Sequence, residues 1–270
     1  MLVAEMLLYA FPEEVAVGVA VNEDGWHAGD SQSARRGRGR ESAGALWILQ
    51  AHMPVIHLIR HAQASFGGDS YDVLSDIGHR QSDLLDAALR SRGVEAARVA
   101  AGTLRRQIDS ARVQPELDER WNEYDTAAVL ATHGPELGGE RTEMGAAPGM
   151  TSREFQQLLD GALLAWIEAG EDSPTEETWP AFQRRSLDAA TDLADSLGSG
   201  ETAVVFTSGG PIAAICASLI GAPDSSFVTL NRVCVNTAVT KLMSGRGGLR
   251  LVTFNDHSHL EHDRELMTFR

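Results

Sequence analysis

The segment LIRHAQASF, residues 58–66, sets an arginine and a histidine side by side as Arg60 and His61. A neutral imidazole is a nucleophile near neutral pH, and a guanidinium offers forked donors that match phosphate oxygens. Together they suit phosphoryl transfer. A strand-end pair making structural hydrogen bonds would read the same way, so the pair alone decides little. Four further segments add chemistry: LSDIGHRQ (74–81), GTLRRQIDSA (102–111), WNEYD (121–125) and TSGGPIAA (207–214). Among other side chains they bring the adjacent arginines Arg105 and Arg106 and the carboxylates Glu123 and Asp125. They also bring a hydroxyl, Ser208, ahead of two glycines.

The elements that must position these residues are readable in the same stretches. VIHLI (55–59) is short, apolar and β-branched, as a buried parallel strand should be. Placed just before Arg60, it puts the pair at a strand's C-terminal end, where open α/β sheets bind ligands. Ser75 reads as a helix N-cap, with Ile77, Leu84, Leu85, Ala88 and Leu89 on one face and Gly93 closing the helix. A strand over 98–101 leads to a helix beginning near Leu104. This alternation implies a mostly parallel sheet covered by helices in three α/β/α layers. The stretch 126–180 reads as an insertion, Gly-rich at first and then helical through Phe155, Leu158, Leu159, Leu163 and Trp166. A second helix is expected over 179–197 and a buried strand over 203–207. Pro211 marks the start of the next helix. Strands over 237–243 and 249–254, joined by SGRGG, read as a hairpin.

Composition narrows the classes. A net charge of -15 over 270 residues argues against a nucleic-acid or anionic-membrane binder, which would need a basic face. Two cysteines, Cys216 and Cys234, provide neither a disulfide framework nor a Cys-rich metal site. His257 and His259 form a His-x-His pair without a third ligand at persuasive spacing, so no metal is expected. No apolar run is long enough to span a bilayer, and the N-terminus makes a poor signal peptide, so a cytoplasmic location is expected. Residues 1–53 form a Gly/Ser/Arg-rich extension expected to be disordered or poorly packed, with the folded domain over 54–270. Met53 stands directly before the first strand, which suggests a translation start there.

In this order and context, the five segments resemble the histidine phosphatase superfamily, the phosphoglycerate-mutase-like fold. The resemblance covers about residues 54–260. It implies that His61 forms a phosphohistidine and that Arg60 holds the phosphoryl group. The family's second arginine precedes a Thr-Ala pair by four residues. Ser110-Ala111 matches that pair here, so the resemblance points to Arg106, with Arg105 facing solvent. Glu123 would be the general acid, with Glu119 and Asp125 as rivals. Three departures stand out. Ser208 occupies the place of a second catalytic histidine, Ala62 replaces a glycine, and Gly67 replaces an asparagine. Gln63 and Ser65 could substitute for that phosphate ligand. Ser208 and the backbone N–H of Gly209 would complete the phosphate cradle. Serine donates a hydrogen bond but carries no charge. Ser208→His is therefore expected to restore a cationic donor, unless His257 or His259 enters the pocket from the tail.

The activity implied is hydrolysis of a small phosphorylated substrate without a cofactor. A mutase fits less well, because no extra basic residues mark a site for a small acidic phosphate. A relative that binds phospho-ligands or a protein partner without turnover is the alternative, motivated by Ser208. Deleting residues 1–52 should leave thermal stability nearly unchanged, because that stretch offers little apolar surface to bury. A fall in Tm of more than about 5 °C, measured by thermal denaturation, would show that the extension packs on the core.

Overall fold

The computed structural model describes residues 53–65, 72–135 and 150–269. The expectations for residues 1–52, and the Gly-rich start of the insertion at 136–149, lie outside these. Six strands form one mixed sheet in the order β3-β2-β4-β1-β5-β6. In chain order they are β1 (Val55–Arg60), β2 (Arg98–Ala101), β3 (Glu116–Leu117), β4 (Thr202–Thr207), β5 (Val239–Gly245) and β6 (Gly248–Asp256). The first four run parallel, and β5 and β6 add an antiparallel hairpin at one edge. Seven α-helices are found among the described residues: α1 (Asp76–Ser91), α2 (Arg105–Ser110), α3 (Thr126–His133), α4 (Ser152–Ala169), α5 (Trp179–Ser196), α6 (Gly209–Leu219) and α7 (Ser226–Val233).

Strand alternation separates the two faces of the sheet. Ile56, Leu58, Ala203 and Val205 pack in one buried cluster with Ala190 and Leu193 of α5 and Ile215 of α6. Ile59, Val204 and Phe206 point the other way, onto Leu85 and Leu89 of α1. The fold is therefore the expected α/β/α sandwich. Helix α1 departs from the single apolar face expected of it. Ile77 and Leu84 turn to a third cluster, built on Leu260 and Leu266 of the C-terminal segment. That segment thus covers the outside of α1.

Local signals hold where backbone chemistry is unambiguous. Ser75 caps α1 by accepting from the Gly78 N–H at 3.0 Å, and Gly93 takes a left-handed φ of 67° just beyond the helix. Thr151 and Glu154 form a capping box on α4. Pro211 lies within the first turn of α6, where no intrahelical N–H bond is required. The hairpin begins two residues later than its pattern suggests. Thr237 has φ 60°, which breaks the extended chain and aims its N–H at the Arg60 carbonyl, 2.9 Å away.

A second core joins α3 to α7. Tyr124, Trp166, Trp179, Phe182 and Phe227 form a cluster of aromatic rings with centroids 4.6–6.1 Å apart. Phe182, fully buried, touches the other four rings. Phe182→Ala should cost about 3–5 kcal/mol in chemical denaturation, and Phe182→Leu markedly less, because the leucine leaves a smaller cavity. Equal losses would show that the site collapses around the truncation.

Candidate active site

The register of β1 against β4 brings the first and last motifs together. Arg60 lies opposite Thr207, and the His61 N–H donates to the Thr207 carbonyl at 2.8 Å. His61 is 3 % exposed. Its Nδ1 lies 2.8 Å from the Ala62 carbonyl, and its Nε2 lies 3.2 Å from Nε of Arg106. A carbonyl only accepts and a guanidinium only donates. Both contacts are satisfied by one neutral tautomer, with the proton on Nδ1 and the lone pair on Nε2. Burial, and then the charges of Arg106 and Arg60, hold the imidazole well below its usual pKa. A neutral imidazole of this tautomer presents its Nε2 lone pair, the form in which a histidine can act as a nucleophile.

Each arginine is held from behind. Asp72 grips Arg106 through Nη1 at 2.7 Å and accepts the N–H groups of Arg105 and Arg106, at 2.8 and 3.3 Å, at the start of α2. Arg105 turns away and pairs with Asp109, as expected of the solvent-facing arginine. Arg60 donates to the Cys234 carbonyl and, at 2.9 Å, to the Phe269 carbonyl of the C-terminal segment. Its Nε is buried with no partner among the described residues. A buried, unpaired donor beside a second guanidinium is what a phosphoryl oxygen would satisfy.

Glu123 stands across the same cleft. Its carboxylate accepts from the Gly210 N–H at 3.2 Å. A Cβ at position 210 would lie 1.9 Å from Glu123 Oε1, so only glycine permits this approach. Tyr124 anchors the next residue in the aromatic cluster. Arg185 fixes the preceding backbone, donating to the carbonyls of Arg120 and Asn122 at 2.8 Å each. Burial, the largest influence, raises the pKa of Glu123, although the Gly210 hydrogen bond and both arginines oppose it. A carboxyl shifted upward can hold a proton for a leaving group.

Arg60, His61, Arg106 and Glu123 line one cleft of about 410 Å³. Of the rivals to Glu123, Asp125 reaches the cleft but caps α3, and Glu119 does not line it. Ser208 and Gly209 do not line it: Ser208 is fully buried at the N-terminus of α6, and a Cβ on Gly209 would lie 3.7 Å from Nε of Arg60. Gln63 and Ser65 are not brought into the cleft. The Gln63 side chain accepts from the Ser75 hydroxyl at 2.7 Å, its N–H donates to Gln81, and Ser65 pairs its backbone with Val73. The tail histidines stay out as well. His257 bonds the Asn255 carbonyl and His259 faces the Thr237 hydroxyl. Among the described residues, no three His, Cys, Asp or Glu side chains are grouped to hold a metal ion.

Three residues that shape the site were not expected from the sequence: Asp72, Gln107 and Arg185. Asp72 comes from a stretch without periodicity, and nothing local marks it. Gln107 is buried and bonds the Ser208 hydroxyl at 2.8 Å. Its only sequence signal is a long polar side chain next to Arg106.

The chain belongs to the histidine phosphatase superfamily, branch 1, whose family model matches residues 56–257. No curated protein matches the sequence. Solved structures of similar fold include a mycobacterial glucosyl-3-phosphoglycerate phosphatase, at 21% identity over 75% of this chain and 98% of that one, with a TM-score of 0.53. Bacillus stearothermophilus YhfR aligns at 20% identity over 77% of this chain and 99% of that one, with a TM-score of 0.54. A phosphoserine phosphatase from Entamoeba histolytica, solved with phosphoserine, aligns at 16% identity over 77% and 100%, with a TM-score of 0.52. At these identities the likeness is one of fold. Among the described residues no helix is long and apolar enough to cross a membrane.

The charge arrangement can be tested by titration. Arg106→Gln removes one of the two positive charges that depress His61, so the imidazole midpoint should move up towards 6.5 while burial keeps it below that value. NMR titration, with the resonance assigned by its loss in His61→Ala, reads this directly. An unmoved midpoint would show that Arg106 exerts no field on the ring.

Proposed function

We propose that the protein hydrolyses small phosphate monoesters through a phosphohistidine on His61. One observation carries this reading: a neutral, tautomer-fixed imidazole, two guanidinium groups and a protonation-prone carboxyl share a single cleft. The phosphoryl group would sit between Arg60 and Arg106, taking the place of the Arg106–His61 contact. Nε2 of His61 attacks phosphorus in line. The bond to the ester oxygen breaks with its electron pair on that oxygen, and Glu123 supplies the proton. Water then attacks the phosphohistidine and gives a proton to the Glu123 carboxylate. The N–P bond breaks, orthophosphate leaves, and both side chains return to their starting states. The guanidinium groups offset the charge on the equatorial oxygens throughout.

The substrates named for two of the structural neighbours, glucosyl-3-phosphoglycerate and phosphoserine, are small phosphorylated compounds and support the same class here. A mutase would have to keep water from the phosphohistidine. A cleft of about 410 Å³ has room for water beside a small phosphate ester, which favours hydrolysis. A second reading, phospho-ligand binding without turnover, draws on Ser208, which is neutral and fully buried where the family resemblance places a cation.

Leaving groups separate these readings. With an alkyl phosphate, Glu123→Gln should lose about 10²–10⁴-fold in kcat, the usual contribution of a general acid. With p-nitrophenyl phosphate, whose phenol departs as an anion, the loss should be far smaller. His61→Ala should abolish both activities and the acid-labile phosphoprotein trapped on quenching. Wild-type protein that binds orthophosphate yet cleaves no ester in a substrate panel would establish the second reading.

A further inference from the structure

The Ser208 hydroxyl is engaged by another buried side chain. Gln107, fully buried, reaches from α2 and donates through Nε2 to the Ser208 hydroxyl at 2.8 Å and to the Trp121 carbonyl at 3.0 Å. The same Trp121 carbonyl accepts from the Thr207 hydroxyl at 2.6 Å. Both amide hydrogens are thus spent on the two strands of chain that flank the reacting groups. One is the β4–α6 junction beside His61. The other is the segment that runs two residues on to Glu123. Gln107 also follows Arg106 directly in α2, so the helix that presents the guanidinium to His61 presents the amide to Ser208. The amide is tightly seated. Its Oε1 would lie 2.0 Å from a Cβ on Gly102, so that glycine makes room for it.

This arrangement changes the expectation for position 208. The ordinary argument, that a histidine there would restore a cation, assumes space for the ring. Here the buried Gln107 amide, 2.8 Å from the Ser208 hydroxyl, stands where a longer side chain would extend along that direction. We propose that Gln107 and Ser208 are a matched pair. Gln107 is a positioning residue that fills the volume a larger side chain at 208 would need. It fixes the Ser208 hydroxyl and ties the Arg106 helix to the Glu123 segment. The inference rests on the phosphatase reading for its catalytic consequence, but its packing consequence does not depend on turnover.

Four proteins decide it: wild type, Ser208→His, Gln107→Ala and the double variant. Each is assayed with p-nitrophenyl phosphate across pH, for orthophosphate affinity by calorimetry, and for Tm. Ser208→His alone should lose at least tenfold in kcat and lower Tm, because the ring is forced against the amide. Gln107→Ala should lower kcat more than it raises KM. The double variant should recover kcat relative to Ser208→His. It should also gain activity as pH falls, with a midpoint below the free imidazole value of about 6.5 because position 208 is buried, as an imidazole at 208 becomes cationic. A merely structural Gln107 would not create that limb in the pH profile.

The pairing is overturned if Ser208→His alone matches or exceeds wild type, or if the double variant is no better than Ser208→His. Should Ser208→His not fold, Ser208→Ala takes its place. Its loss in kcat and that of Gln107→Ala should then be non-additive, the double being no worse than the poorer single; additive losses overturn the pairing. If wild type cleaves no ester, the phosphatase reading fails by itself. Orthophosphate affinity and Tm in the same proteins then judge the pair, with the same order expected.

Discussion

Two guanidinium groups are held beside one buried, neutral imidazole, and much of the surrounding structure answers to that constraint. Like charges repel, and burial withdraws the water that would screen them. Each arginine therefore needs its own anchor behind it. Asp72 supplies one, with a full negative charge at the start of α2. The carbonyls of Cys234 and Phe269 supply the other with dipoles alone. Arg106 thus faces the imidazole with its charge balanced by Asp72, whereas Arg60 is held by two backbone carbonyls.

The short helix α2 concentrates this organisation. Three side chains within five residues bind three different segments: Arg106 to His61, Gln107 to Ser208 and Trp121, and Ser110 to the Ala62 N–H at 2.8 Å. A helix of six residues has little stability of its own. It is ordered by the contacts it makes, so formation of the helix and assembly of the cleft are one event. The aromatic cluster plays the matching part for Glu123. It fixes Tyr124 in a rigid core, so that the carboxyl one residue earlier has a defined place.

Much of this was legible in the sequence, for identifiable reasons. Strands β1, β2 and β4 declare themselves because buried parallel strands are apolar throughout. The Ser75 cap and the Gly93 stop are backbone chemistry written in single residues. Arg60 and His61 stand at a strand end, and the family resemblance pointed to Arg106, through Ser110-Ala111, and to Glu123. The failures share a cause as well. Gln63 looked like a ligand by position, yet Ser75 and Gln81, both downstream, draw it aside. Asp72, Gln107 and Arg185 matter through partners 34 to 101 residues distant, and no local pattern encodes such a pairing. The second face of α1 was hidden because the segment that covers it comes nearly two hundred residues later.

That late segment has a consequence for how the protein is made. Gln81 of α1 donates to the Leu266 carbonyl and the Thr268 hydroxyl, Thr268 bonds Asn236, and Asn236 donates to the carbonyl of His61 itself. The backbone of His61 and the second anchor of Arg60 thus depend on residues 266–269. Synthesis runs from the N-terminus, and domains form as the chain emerges. Strand β1, which carries His61, emerges early, but the hydrogen bonds that residues 266–269 make to this region can form only after about two hundred further residues have been made. Cleavage ahead of residue 266 would therefore strip Phe269 from the cleft and from Arg60, although the cut lies about two hundred residues from His61.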